Sequence, residues 1–126
     1  MSRFVGRLPG GQNKYHVAPV AARTVDGIRF DSKAEMRRYQ ELLLLQRVGQ
    51  ITRLERQPEY VLVEPFAAQG YKFRGIRYRP DFRYLEEGHE VVEDVKGHCT
   101  EPYKIKRQLF LKAFPDVTFR EIKVGR

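Results

Sequence analysis

The sequence predicts an α/β domain in which one mixed sheet is flanked by helices. Three observations predict it. A long segment near the start has helical periodicity, the middle holds short β-prone runs punctuated by turn residues, and a second amphipathic segment is followed by one more β-prone run. At 126 residues the chain suits a single domain with its own core.

Residues 1–22 carry Arg3, Arg7 and Lys14 but no acid and no sustained periodicity, so they are read as a basic flexible arm ahead of a domain spanning residues 23–126. In RTVDGIRF, Asp26-Gly27 separates two short β-prone runs and predicts a tight hairpin, because both positions tolerate positive φ. The segment DSKAEMRRYQELLLLQRVGQ predicts a helix that opens at Ser32, closes near Val48 and stops at Gly49. Tyr39, Leu42 and Leu43 fall on one stripe of it and should face the core.

Residues 51–54 and 59–64 read as short strands separated by Gln57-Pro58. Residues 71–85 hold one or two strands, and EEGH turns the chain into another over residues 90–96. TEPYKIKRQLFLKAF predicts the second helix, with Thr100 as N-cap and Pro102 in the first turn, where a missing N–H costs nothing. Lys104, Lys106 and Arg107 lie among Ile105, Leu109 and Phe110, which suggests a basic outer side over an apolar inner one. Residues 117–124 make the last strand.

A net charge of +8 implies a polyanionic partner: nucleic acid, an acidic membrane surface or an acidic protein. The longest apolar run, residues 42–45, is far too short to cross a bilayer, and the first residues lack a signal-peptide core. The expectation is a soluble, cytoplasmic protein. No basic amphipathic helix with aromatic anchors stands out, which puts a membrane-surface role last. A single cysteine, Cys99, excludes an internal disulfide, and His16, His89 and His98 make no zinc spacing.

The stretch VVEDVKG places two acids and a lysine in an otherwise buried strand. A turn centred on Glu87-Gly88 would pair Leu85 with Glu90 and set Asp81 opposite Asp94. By alternation, one face then holds Ile76, Tyr78, Phe82, Tyr84, Val91 and Val95, and the other Arg77, Arg79, Asp81, Arg83, Asp94 and Lys96. Glu93 falls on the apolar parity and receives no role. Directly opposed like charges are unfavourable, and a hard divalent cation such as Mg²⁺ would compensate them through its oxygen ligands. Pro80 cannot donate to a ladder, so a bulge there would help aim Asp81.

The competing reading is a solvated face on which Arg79 and Arg83 neutralise the acids. Asp31-Ser32-Lys33 and Glu121-Ile122-Lys123 share the acid-x-lysine spacing, but only Asp94-Val95-Lys96 has a second acid placed across a short hairpin, and this favours the cation site. Ser32-Lys33-Ala34-Glu35 matches a capping box, yet Glu35 also shares the stripe of Tyr39, Leu42 and Leu43 and points toward the sheet. The two roles compete for one carboxylate, and the site is favoured because Ser32 can cap alone.

Pro80-Asp81, a short hairpin and Asp94-Val95-Lys96, preceded by a helix carrying Glu35, resemble the PD-(D/E)xK nuclease superfamily. The segments FDSKAEMRRYQELLLL, LERQPEY and VVEDVKG are similar to those of its small phage-encoded members and, more loosely, of archaeal-type Holliday junction resolvases. The resemblance covers about residues 24–124. It implies a restriction-endonuclease-like core, α-β-β-β-α-β, and a metal-dependent endonuclease of viral or prophage origin working in the host cytoplasm. Asp81 and Asp94 would ligate Mg²⁺ or Mn²⁺ with the Val95 carbonyl, Lys96 would orient or activate the attacking water, and Glu35 would complete the metal site. Gln57 stands where such nucleases carry a supporting polar residue, although it also reads as a turn residue before Pro58.

Junction resolution needs paired cuts on a nearly two-fold substrate, so a C2 homodimer is expected. Arg77, Arg79, Lys104, Lys106 and Arg107 are expected to hold DNA phosphates as a set. Cleavage of flaps, mismatches or a specific duplex sequence is the alternative within the same chemistry. A DNA-binding module without catalysis is the alternative outside it.

Overall fold

Strand polarity and turn chemistry set the architecture seen in the computed structural model, which describes residues 18–124. Of the arm expected over residues 1–22, residues 1–17 lie outside the described residues. The remainder folds against the domain: Val20–Arg23 is a 3-10 turn, and the Arg23 guanidinium donates to Ala18 O at 2.7 Å and to Phe30 O at 2.5 Å. The first strands, β1 (Thr24–Val25) and β2 (Ile28–Arg29), form the expected hairpin, with Asp26 at φ 51° and Gly27 at φ 76°.

Helix α1 spans Lys33–Arg47, and its N-cap Ser32 accepts from the Glu35 amide at 3.1 Å. Leu42 is fully buried, Met36, Tyr39 and Leu45 pack beside it, and Leu43 is only half-buried. Strands β3 (Thr52–Arg56), β4 (Tyr60–Val63), β5 (Phe66–Ala68), β6 (Tyr71–Phe73), β7 (Ile76–Tyr78), β8 (Phe82–Glu86) and β9 (His89–Lys96) follow, then helix α2 (Glu101–Ala113) and β10 (Thr118–Lys123).

The central sheet runs β10-β9-β8-β3. β10 is parallel to β9 and the other pairs are antiparallel, so the sheet is mixed, and α2 makes the crossover that parallel neighbours require. Phe82, Tyr84 and Val91 meet Leu42 of α1, while Val92 meets Tyr103 and Phe110 of α2. Neighbouring residues of β9 thus look into different cores, which places the helices on opposite faces of the sheet. Thr100 caps α2 as expected, accepting from the Tyr103 amide at 3.3 Å. Its apolar face differs from the expected one: Tyr103 and Phe110 are buried, whereas Ile105 is 57% exposed. Among the described residues no helix is long and apolar enough to cross a membrane.

The region of residues 71–85 holds three strands rather than one or two, and β5 is an element that the sequence pattern does not predict. Gly75 and Pro80 divide the run. β7 leaves the central sheet and pairs with β4, and β5 pairs with β6, giving a second ribbon beyond the first. Gly75 lies at φ 87°, and a Cβ there would stand 2.3 Å from Val63 O and 2.9 Å from Pro65 N. Gly75→Ala is therefore expected to lower stability by about 2–4 kcal/mol in urea unfolding, combining left-handed strain with a backbone clash. A loss within ordinary surface-mutation scatter would contradict this account of the turn.

The same division corrects the expected faces. Tyr78, expected beside Phe82 and Tyr84, packs instead with Val92 and Phe110 on the α2 side. The chain bends through Arg79-Pro80-Asp81, so strict alternation does not carry across it. Nor is the supposedly charged face open to water, because Val92 and Asp94 are buried there.

Candidate functional site

The hairpin of β8 and β9 has the expected register, from Phe82 opposite Glu93 to Glu86 opposite His89, around Glu87 and Gly88 at φ 53° and 79°. At Asp81 it slips by one. The Asp81 amide donates to Glu93 O at 3.1 Å instead of facing Asp94 squarely, which is a bulge at the position Pro80 suggested. Asp81 O accepts from the Gln57 amide at 2.8 Å, and one carboxylate oxygen, Oδ2, accepts from the Val95 amide at 2.7 Å. Asp81 therefore ties the end of β3 to β9 while its side chain is aimed at Asp94.

Asp94, 2% exposed, accepts a short hydrogen bond from the Tyr78 hydroxyl. Burial and the neighbouring carboxylate push the Tyr78 phenol far up, so it remains a donor. Lys96 Nζ stands 3.5 Å from Asp94 Oδ1 and 4.3 Å from the centre of the Tyr103 ring. Lys96 is thus held beside Asp94 between an acid and an aromatic face.

Glu35 arrives from α1 on the opposite side of the sheet. It is 4% exposed and within hydrogen-bonding reach of Asp81, while its Oε2 has no partner. Ser32 caps the helix through the Glu35 amide, which leaves the Glu35 carboxylate for the site. Arg56 lies close enough to favour the charged form of Glu35, stacks over the Phe30 ring at 4.6 Å, and has an unpartnered buried Nε. Two orphaned polar atoms beside three carboxylates mark a place built to hold something polar.

Burial, then the charges around them, push both central acids up: Asp31 and Asp94 act on Glu35, which reaches about 7, while Glu35 and Asp94 act on Asp81. In the folded chain these groups keep protons that the unfolded chain has already released. Stability should therefore fall as pH rises from the ordinary carboxylate range to about 9, the value to which Asp81 is raised. Glu121, held down at about 2, acts in the opposite sense only below that window. In chelator, the thermal midpoint is expected to drop between roughly pH 5 and 8 and to recover on adding Mg²⁺ at the upper end. A flat midpoint in chelator would contradict the clustering of acids.

The structure brings Glu35, Asp81, Asp94 and Lys96 together, with the Val95 backbone and the Gln57 backbone against Asp81. Gln57 contributes its amide from a left-handed backbone at φ 50°, which accounts for the turn before Pro58. Among the described residues no three Asp, Glu, His or Cys side chains stand ready to hold an ion as they lie. The available donors are hard oxygens: two aspartates, Glu35 and main-chain carbonyls. Their chemistry fits a cation that takes one or two carboxylates and keeps water.

Arg77 and Arg79 sit on and just after β7 and pair with Glu59 at 2.9 and 3.5 Å. On α2, Lys104 pairs with Glu101 at 3.1 Å, Arg107 pairs with Glu121 at 2.6 Å, and Lys106 is half-buried. Two of the basic residues thus belong to the β7 end and three to α2, elements that pack against each other through Tyr78, Tyr103 and Phe110.

Sequence reasoning missed two networks. Glu93, given no role, is fully buried and held by Arg38 in a fork of 2.8 and 2.7 Å, with a short hydrogen bond from the Tyr84 hydroxyl. This clasp fixes α1 one turn beyond Glu35. Glu121 lies beside Asp94 on the parallel neighbour strand and accepts from Tyr103 Oη at 2.6 Å. Burial acts to raise Glu121, but hydrogen bonds from Tyr103, Arg107 and Lys123 outweigh it. The acid-x-lysine spacing at residues 121–123 is visible in the sequence, but its register against residues 94–96 is not.

A family model described as protein of unknown function (DUF1064) matches residues 12–124. No curated protein matches the chain.

Proposed function

The chain belongs to the DUF1064 family, matched over residues 12–124, and from its buried acids we propose that it is a divalent-metal-dependent DNA endonuclease acting on branched recombination intermediates. One observation carries the proposal: Glu35, Asp81 and Asp94 converge from a helix, a bulge and a central strand, with Lys96 beside Asp94. A buried acid cluster costs stability at neutral pH, and a structural role alone gives no return for that cost.

Asp81 and Asp94 would hold Mg²⁺ or Mn²⁺ together with the Val95 carbonyl, and Glu35 would complete the site. A cation there supplies a Lewis acid that makes water nucleophilic at neutral pH and stabilises charge on the scissile phosphate. Tyr78 orients Asp94 by donating to it, and the amide of Val95 orients Asp81 in the same way. Lys96 supplies an ammonium to orient the water or to meet the phosphate charge. The order of α1, β3, β8, β9, α2 and β10 also supports the resemblance to PD-(D/E)xK nucleases, with the β4–β7 and β5–β6 ribbons inserted between β3 and β8.

The basic residues of β7 and α2, elements packed together in the second core, would hold phosphates as a set. A two-fold dimer would present two such sites to a junction. The test is cleavage of a labelled four-way junction beside linear duplex, flap and mismatch substrates, with Mg²⁺ and with chelator. Metal-stimulated nicking of the junction is expected. Cutting of another substrate alone would retain the chemistry and change the target, and salt-sensitive binding with no cleavage would leave a DNA-binding module.

A further inference from the structure

The β5–β6 ribbon carries an aromatic face that belongs to neither core. Phe66 pairs with Phe73 and Ala68 with Tyr71, so these four side chains share one face, while Ala67 and Lys72 take the other. Phe66 and Phe73 stack with ring centroids 4.6 Å apart, and Tyr71 lies 6.2 Å from Phe73. The rings are 50%, 45% and 67% exposed in the order Phe66, Phe73 and Tyr71. Three neighbouring aromatics on an isolated two-stranded ribbon gain little from folding there, and such ribbons are marginal in water unaided.

What covers them must suit their surroundings. The two ribbons and their ends carry Lys72, Arg74, Arg77 and Arg79 against Glu59 and Glu64, with Arg77 and Arg79 both paired with Glu59. Two copies brought together would each bring the same excess of cations, four against two acids. A polyanion with apolar planar faces meets both the charge and the rings. The ribbon is also joined to the site: β7 follows it directly, and Tyr78 of β7 bonds Asp94. Ten residues separate Tyr71 from Asp81, so the tip reaches at most roughly 33 Å from the acids, close to one turn of duplex.

We propose that the Phe66–Tyr71–Phe73 face stacks on unstacked bases of DNA, so that the protein selects branched or single-stranded regions over continuous duplex. This rests on the endonuclease reading and names what its substrate must expose. Base stacking on aromatic side chains tolerates any sequence, which suits selection by structure.

The test is binding in chelator, which is independent of cleavage. Wild type, Tyr71→Ala, Tyr71→Phe and the double variant Phe66→Ala/Phe73→Ala are titrated with a fork bearing single-stranded arms and with blunt duplex. The alanine variants are expected to lose at least about fivefold in fork affinity. Tyr71→Phe should retain it, and duplex binding should change little. The chain has no tryptophan, so Tyr71→Trp provides a single reporter whose emission a stacked base should quench, whatever the alanine variants do to folding. Unchanged fork affinity with no quenching overturns the proposal. So does an equal loss on fork and duplex, a dimer that falls apart in the double variant with fork binding intact, or an indole emission from the Tyr71→Trp variant that is already that of a buried ring without DNA. Failure of cleavage with retained fork preference would remove the endonuclease reading and leave the stacking face standing.

Discussion

Asp94→Asn is expected to remove metal-dependent cleavage by on the order of 10²–10³-fold while junction binding persists. The substitution keeps the shape of the side chain and an oxygen to accept from Tyr78, so the buried hydrogen bond survives. It removes the charge that a cation needs on the central strand and that Lys96 faces at 3.5 Å. Stability should move the other way. Asp94 is one of the charges that raise Asp81, so in chelator near neutral pH the variant should unfold no lower than wild type. Opposite effects on rate and on metal-free stability separate a lost catalytic group from a damaged fold. Equal cutting by the two proteins would exclude the role given to Asp94.

Arg38→Ala is expected to cost about 3 kcal/mol, because it leaves the fully buried Glu93 without its cation. The low end of the range applies, since the Arg38 side chain keeps 22% of its surface in water. For a domain of this size the thermal midpoint should fall by about 10 °C or more. Replacing both partners, Arg38→Met with Glu93→Leu, should recover most of the loss, because no charge is then stranded. A midpoint unchanged in the single variant would mean that Tyr84 alone satisfies Glu93. Cleavage should suffer more than stability predicts in the single variant, because Arg38 holds the helix that delivers Glu35.

The central hairpin is legible in the sequence because Glu87-Gly88 admits one turn, and that turn fixes every pair from Phe82 to Glu86. Both helices are legible from their caps. Glu35 is harder to assign, since a capping glutamate and a site acid look alike; the difference is where the carboxylate goes once Ser32 has taken the amide. Glu93 escapes for a different reason. Alternation assigns it correctly to the side of Val91 and Val95, but nothing local shows that Arg38 stands across from it to make burial tolerable. Tyr78 is misplaced because alternation assumes an unbroken strand, and the bend at Pro80 breaks it. The exposed ribbon is invisible because Phe66 and Phe73 look like core residues in any sequence pattern.

The tight turn at Gln69 and Gly70, with φ of 54° and 81°, lies at the far end of the outer ribbon, between Glu35 and Asp81 in chain order. A cut there would divide the acids between two fragments, Glu35 on one and Asp81, Asp94 and Lys96 on the other. Neither piece alone has the full set, while the four-stranded sheet takes β3 from the first and β8 to β10 from the second. Whatever reaction the set performs then becomes a signal that two separate polypeptides have found each other, which makes this loop the natural place to build a split reporter.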